Sequence, residues 1–136
     1  MKRERINYVE LNARQKESYN FAKLASVLAD YGYTSVRLHD DYHSGDLLAI
    51  RPQESHYVQL KGRLTVDKKY VGRGLYIAWP TNNSRDRWYL IEHDELVDIL
   101  RENTTYLETQ SWKDVGAYSS GKVSRHLLGI LSRFEL

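Results

Sequence analysis

Two short apolar runs constrain this chain more than any other feature: Leu47-Leu48-Ala49-Ile50, opened by Gly45-Asp46, and Tyr57-Val58-Gln59-Leu60, continued by Lys61. Pro52 to Ser55 supplies turn chemistry between them, so they read as neighbouring strands. Residues i and i+2 of a strand project to one face, which puts Gln59 and Lys61 on a common side and lets Asp46 converge on them. A carboxylate, an amide oxygen and an ammonium then meet at one point. Each has a plainer reading as well: an aspartate after glycine suits a turn, and Gln59 and Lys61 suit the wet side of a half-buried sheet.

The rest of the chain supplies the frame. Asn12 followed by Gln15 has the form of a capping box, Phe21, Leu24, Ala25 and Leu28 recur at helical spacing, and Gly32 provides a stop. A first helix is therefore predicted over residues 12–31. Strands are predicted at 33–38, 47–50, 57–65, 75–79 and 88–91, the last two joined by the polar turn 80–86. His93-Asp94-Glu95 opens a short amphipathic helix through Leu96, Val97, Ile99 and Leu100, with acids where the helix dipole favours them. Residues 104–110 are predicted as an edge strand, and Leu127, Leu128, Ile130, Leu131 and Phe134 as a terminal helix starting at Ser124. This order implies a mixed α/β or α+β domain, single over residues 1–136, built on one central sheet flanked by helices.

Composition narrows the setting. The absence of cysteine removes disulfides and thiolate zinc sites. No run approaches the roughly 20 apolar residues of a membrane span, and the charged first ten residues lack the apolar block of a signal peptide, so a cytoplasmic protein without membrane contact is expected. A net charge of +2 is too mild to mark a nucleic-acid binder, but its distribution is uneven. Lys61, Arg63, Lys68, Lys69 and Arg73 cluster around Tyr70, a local basic surface of the kind that contacts phosphates. A solvated hairpin is the plainer account of such a run.

Glu17 extends the argument to the first helix. Glu17, Phe21, Leu24 and Leu28 fall at i, i+4, i+7 and i+11, which sets a carboxylate at the end of the buried stripe, facing the sheet. Burying an unpaired carboxylate is unfavourable by several kcal/mol, so Glu17 there needs a cation, for which Lys61 or a metal ion would serve. The alternative is that Glu17 still reaches solvent and only complements the helix dipole.

A helix with Glu17, a strand, a Gly45-Asp46 strand and a Gln59-x-Lys61 strand together resemble the PD-(D/E)XK nuclease superfamily, the restriction-endonuclease-like fold. The later hairpin running into His93-Asp94-Glu95-Leu96 is similar to its divergent members. The resemblance covers about residues 12–100 and leaves 104–136 as an extension. It implies a central mixed sheet of about five strands and a small, metal-dependent DNA endonuclease. Asp46, Gln59 and Glu17 would be ligands of Mg²⁺ or Mn²⁺, and Lys61 the catalytic lysine. Arg63, Lys68, Lys69, Arg73, Lys122 and Arg125 would contact nucleic acid, and a homodimer would offer one site to each strand of a duplex. Gly45 replaces the motif's proline, and Gln59 replaces its second acid, keeping an oxygen while removing a charge. That second departure also fits an inactive nuclease-fold module that binds or inhibits.

Two other groupings are expected to carry less chemistry. His39 and His43 with Asp40 or Asp41 crowd one loop and suit a transition metal. Trp112, Tyr118, Lys122, Arg125, His126 and Arg133 mix aromatics with bases as nucleic-acid surfaces do, although a docked C-terminal helix explains them equally.

Overall fold

The computed structural model describes residues 1–39 and 45–136. Its first helix, α1 (Ala13–Asp30), starts at the expected capping box: the Asn12 side chain accepts from the Gln15 N–H at 2.8 Å, and the Gln15 side chain accepts from the Asn12 N–H at 2.9 Å. Gly32 ends the turn that follows with φ of +84°, a conformation that penalises any side chain.

Five strands form the central sheet: β1 (Thr34–Arg37), β2 (Leu47–Arg51), β3 (Glu54–Leu60), β5 (Tyr76–Pro80) and β6 (Trp88–Glu92), in that order across the sheet. Every neighbouring pair is antiparallel except β3 and β5, so the sheet is mixed. The β2–β3 hairpin closes Arg51 onto Glu54 through Pro52 and Gln53, with Gln53 at φ of +68°.

The sheet is apolar on both faces because its strands alternate. On β5, Ala78 faces a cluster with Leu24, Leu28, Leu47, Ala49, Val58 and Trp88, which seats α1. Ile77 and Trp79 face the opposite cluster with Ile91, Leu96, Leu100, Leu127 and Leu131. That second layer consists of α2 (His93–Asn103), α3 (Arg125–Leu131) and a two-stranded sheet of β4 (Leu64–Asp67) with β7 (Ala117–Ser120).

Two expectations are corrected here. The strand predicted over 57–65 ends at Leu60, and Leu64–Asp67 leaves the central sheet as β4. The cause is packing: Leu64 and Val66 are buried in the second-layer cluster, and Gly62 lies at the break between the two strands. The predicted edge strand at 104–110 is instead a 3₁₀ turn, Tyr106–Glu108, followed by a wide helical turn, Ser111–Val115. Threonine hydroxyls capture this backbone locally: the Thr104 hydroxyl donates to Leu100 O at 2.6 Å, and the Thr109 hydroxyl to Tyr106 O at 2.7 Å. Strand β7, which sequence reading did not anticipate, is short and half-buried. No helix among the described residues is long and apolar enough to cross a membrane.

Candidate functional site

Strands β2 and β3 are antiparallel, so the start of one and the end of the other lie at the same edge of the sheet. Asp46 is held there from both sides: its N–H donates to Val58 O at 2.8 Å, and its carbonyl accepts from the Leu38 N–H at 2.9 Å. Its carboxylate Oδ2 accepts from the Leu60 N–H at 2.8 Å, a charge-assisted bond that fixes the side chain's direction. Leu47 pairs with Val58, and Asp46, one residue before the strand, also donates to Val58 O, which keeps it at the end of the hairpin where Gln59 lies. Gly45 makes the approach possible, since a Cβ there would sit 3.3 Å from Tyr57 Cβ.

Gln59 is only 8% exposed, and its Oε1 is buried with no hydrogen-bond partner among the described residues. An unsatisfied buried acceptor costs about 1–3 kcal/mol. Lys61 continues past the end of β3, where its N–H donates to Ala78 O at 2.9 Å. Its Nζ lies 5.5 Å from the centre of the Tyr70 ring, and Lys69 Nζ lies 5.1 Å from that ring.

A cavity of about 330 Å³ joins these groups, lined by Glu17, Asn20, Arg37, Asp46, Gln59 and Lys61 among others. All four side chains singled out for chemistry therefore line one concavity. Glu17 does so differently from its expectation. Its side chain is 75% exposed and lies 4.0 Å from Arg37 Nη2, so it forms part of the rim and reaches solvent. The buried stripe of α1 starts later, with Leu24 and Leu28, because Glu17 is only in the helix's second turn.

Asn20 and Arg37 are site residues that sequence reading missed. Asn20 Nδ2 donates to the Tyr8 hydroxyl at 3.0 Å, leaving Oδ1 buried and without a partner among the described residues. Its three-residue spacing from Glu17 was the available signal. Arg37, which donates to Ser18 Oγ at 2.9 Å, came from a strand read only for apolar alternation.

The basic residues divide into two groups. Lys68 lies over the Trp112 ring at 5.4 Å, Lys69 pairs with Asp67 at 3.9 Å, and Arg73 Nε donates to Lys69 O at 2.6 Å, so these three are tied into the turn after β4. Arg63, Lys122 and Arg125 are exposed and have no ion-pair partner among the described residues. In the mixed aromatic and basic segment, Trp112 is buried, Tyr118 stacks on Tyr106 at 4.7 Å, and Arg133 pairs with Glu95 at 3.7 Å; its aromatics serve packing.

Of the loop grouping read as a transition-metal site, Asp40, Asp41 and His43 lie outside the described residues, and His39 lines a cavity beside Glu17 and Asp46. Among the described residues no group of three or more His, Cys, Asp or Glu side chains is arranged to hold a metal. Among the described residues, the oxygen donors that line the first cavity are the carboxylates of Asp46 and Glu17 and the amides of Asn20 and Gln59.

A second polar cluster lies at the far end of the same hairpin. Glu54 accepts from the Tyr33 hydroxyl at 2.5 Å and from Arg51 Nε at 2.7 Å, and His56 Nε2 stands 2.6 Å from it. Hydrogen bonds from Tyr33, His56 and Arg51 hold the Glu54 carboxyl down at about 2, while burial and the bond to Glu54 push the Tyr33 phenol up to about 12. These groups satisfy one another and line none of the cavities described here. Neither a protein-family model nor a curated protein matches the chain.

Proposed function

We propose that this chain is a metal-dependent nucleic-acid phosphodiesterase, a small DNA endonuclease on a restriction-endonuclease-like α/β frame. The observation that carries the reading is the orphaned Oε1 of buried Gln59, in one cavity with the pinned carboxylate of Asp46 and with Lys61. A buried acceptor left unbonded is unfavourable unless a ligand completes it, and a cation would do so for oxygens that line the same cavity.

Asp46 and Gln59 would hold Mg²⁺, with Glu17 reaching in from the rim. The ion, when bound, supplies Lewis acidity and a lowered pKa for coordinated water. Asp46 provides a fixed negative charge, and its bond from the Leu60 N–H stops it rotating away. Lys61, anchored by its backbone to β5, directs its ammonium at the scissile phosphate and offsets charge developing there.

A second reading follows from the same residue. With an amide at position 59 and Glu17 paired to Arg37, the cavity holds, among the described residues, a single carboxylate away from its rim, which suits an inert nuclease-fold module that only binds. Incubation of pure protein with plasmid, single-stranded DNA and RNA, in magnesium, manganese or EDTA, separates the two. Cleavage that needs metal and disappears in Lys61→Ala and Asp46→Asn is the expected result. Binding without cleavage in every metal selects the inert module.

A further inference from the structure

The cavity at Asp46 opens on one side of the tripeptide Lys61-Gly62-Arg63, and a second cavity of about 310 Å³ opens on the other; Gly62 lines both. Arg63, Trp79, Tyr89, Ser120, Val123 and Leu128 line the second. The accessible part of its wall is aliphatic, with Leu128 left 43% exposed, over a floor of the buried Trp79 and Tyr89 rings, 4.9 Å apart and 4% and 7% exposed. Its rim is cationic. Arg63, which like Lys122 and Arg125 has no acidic partner among the described residues, lies along Gly121, where a Cβ would stand 3.5 Å from Arg63 Nη1. A side chain larger than that at position 121 would displace the guanidinium from the rim.

An apolar wall beneath a cation that has no acidic partner among the described residues matches a ligand with an apolar part and an anionic part. We infer that this second cavity takes an unstacked nucleobase of the strand being cut, with Arg63 on the phosphate between that base and the bond presented to Lys61. The inference rests on the phosphodiesterase reading and names its substrate class. Two residues of extended chain span about 7 Å, and stacked nucleotides advance about 3.4 Å per step, so the ridge from Lys61 to Arg63 is one to two nucleotides wide. A base held in a duplex is not free to enter such a wall, whereas bases of a single strand or splayed end stack on protein side chains readily. The preferred substrate is therefore single-stranded or splayed nucleic acid.

Fluorescence anisotropy in EDTA tests this without cleavage, using a labelled oligothymidylate and a blunt duplex of equal length. The parent protein should bind the single strand more tightly than the duplex. Arg63→Ala should weaken single-strand binding about tenfold and lower its salt slope by about 0.7, the share of one phosphate. Leu128→Gln should weaken it about fivefold with the slope unchanged, as the loss of an apolar contact of about 1 kcal/mol does. Both side chains are exposed, so circular dichroism should show parental folding. If the parent binds the oligomers but both variants match it, or duplex is preferred, the base subsite is wrong and the phosphodiesterase reading stands. If the parent binds neither oligomer, both fall together.

Discussion

Gln59 concentrates the tension between stability and function in one side chain. Its amide oxygen is buried and unbonded, so an apolar replacement of similar length removes a desolvation cost while keeping the volume. Gln59→Met should raise stability by about 1 kcal/mol, or about 3 °C in Tm, while abolishing saturable Mn²⁺ binding measured by calorimetry. A variant that loses stability and keeps the metal would show that the oxygen has no ligand role. At this scale the sequence was informative about pairing: Asp46, Gln59 and Lys61 were legible from strand alternation alone. Glu17 was legible as a cavity residue but not as an exposed one, because helical periodicity gives a direction and not the depth at which a helix end sits. Asn20 escaped notice because its role depends on Tyr8, a contact between distant segments that no local pattern encodes.

Elements carry their own predictions. The β2–β3 hairpin is closed at its far end by Glu54, whose carboxyl is held at about 2 by Tyr33, His56 and Arg51. In the unfolded chain a glutamate titrates near 4.3, so the folded form binds its proton less readily. The stabilisation is therefore complete above about pH 4.3 and is lost as pH falls from there towards about 2. Glu54→Gln should lower Tm at neutral pH and flatten its fall across that acid window, as followed by circular dichroism. An unchanged acid profile would mean that other carboxylates dominate. The five central strands and three helices were readable because each has a hydrophobic period or a cap. Strand β4 and the segment 104–110 were misread because Gly62 and the threonine hydroxyls redirect a chain whose side-chain pattern alone still suits a strand.

Across the whole molecule, His93 ties two pieces of the second layer together, the start of α2 and the end of β4. It is fully buried; its Nε2 accepts from the Asp67 N–H at 3.1 Å, and its Nδ1 faces Asp94 Oδ1 at 3.3 Å. Burial lowers its pKa, against the pull of Asp94 and Asp67. The unfolded chain takes up this proton near pH 6.5 and the folded chain resists it, so stability is complete above that value and declines as pH falls below it. Replacing His93 with Gln should lower Tm at pH 8 and reduce the slope of Tm between pH 6.5 and 5. A slope equal to the parent's would assign the decline to the more exposed histidines.

The one parallel junction in the sheet also sets an order of assembly. Asp46 and Gln59 belong to a hairpin, which forms from near neighbours in microseconds, whereas Lys61 is anchored through Ala78, across a crossover that must close first. A polypeptide emerging from the ribosome thus gathers its oxygen donors early and fixes its ammonium last. Until the segment carrying Ala78 has been synthesised and docked, the nascent chain has no finished pocket.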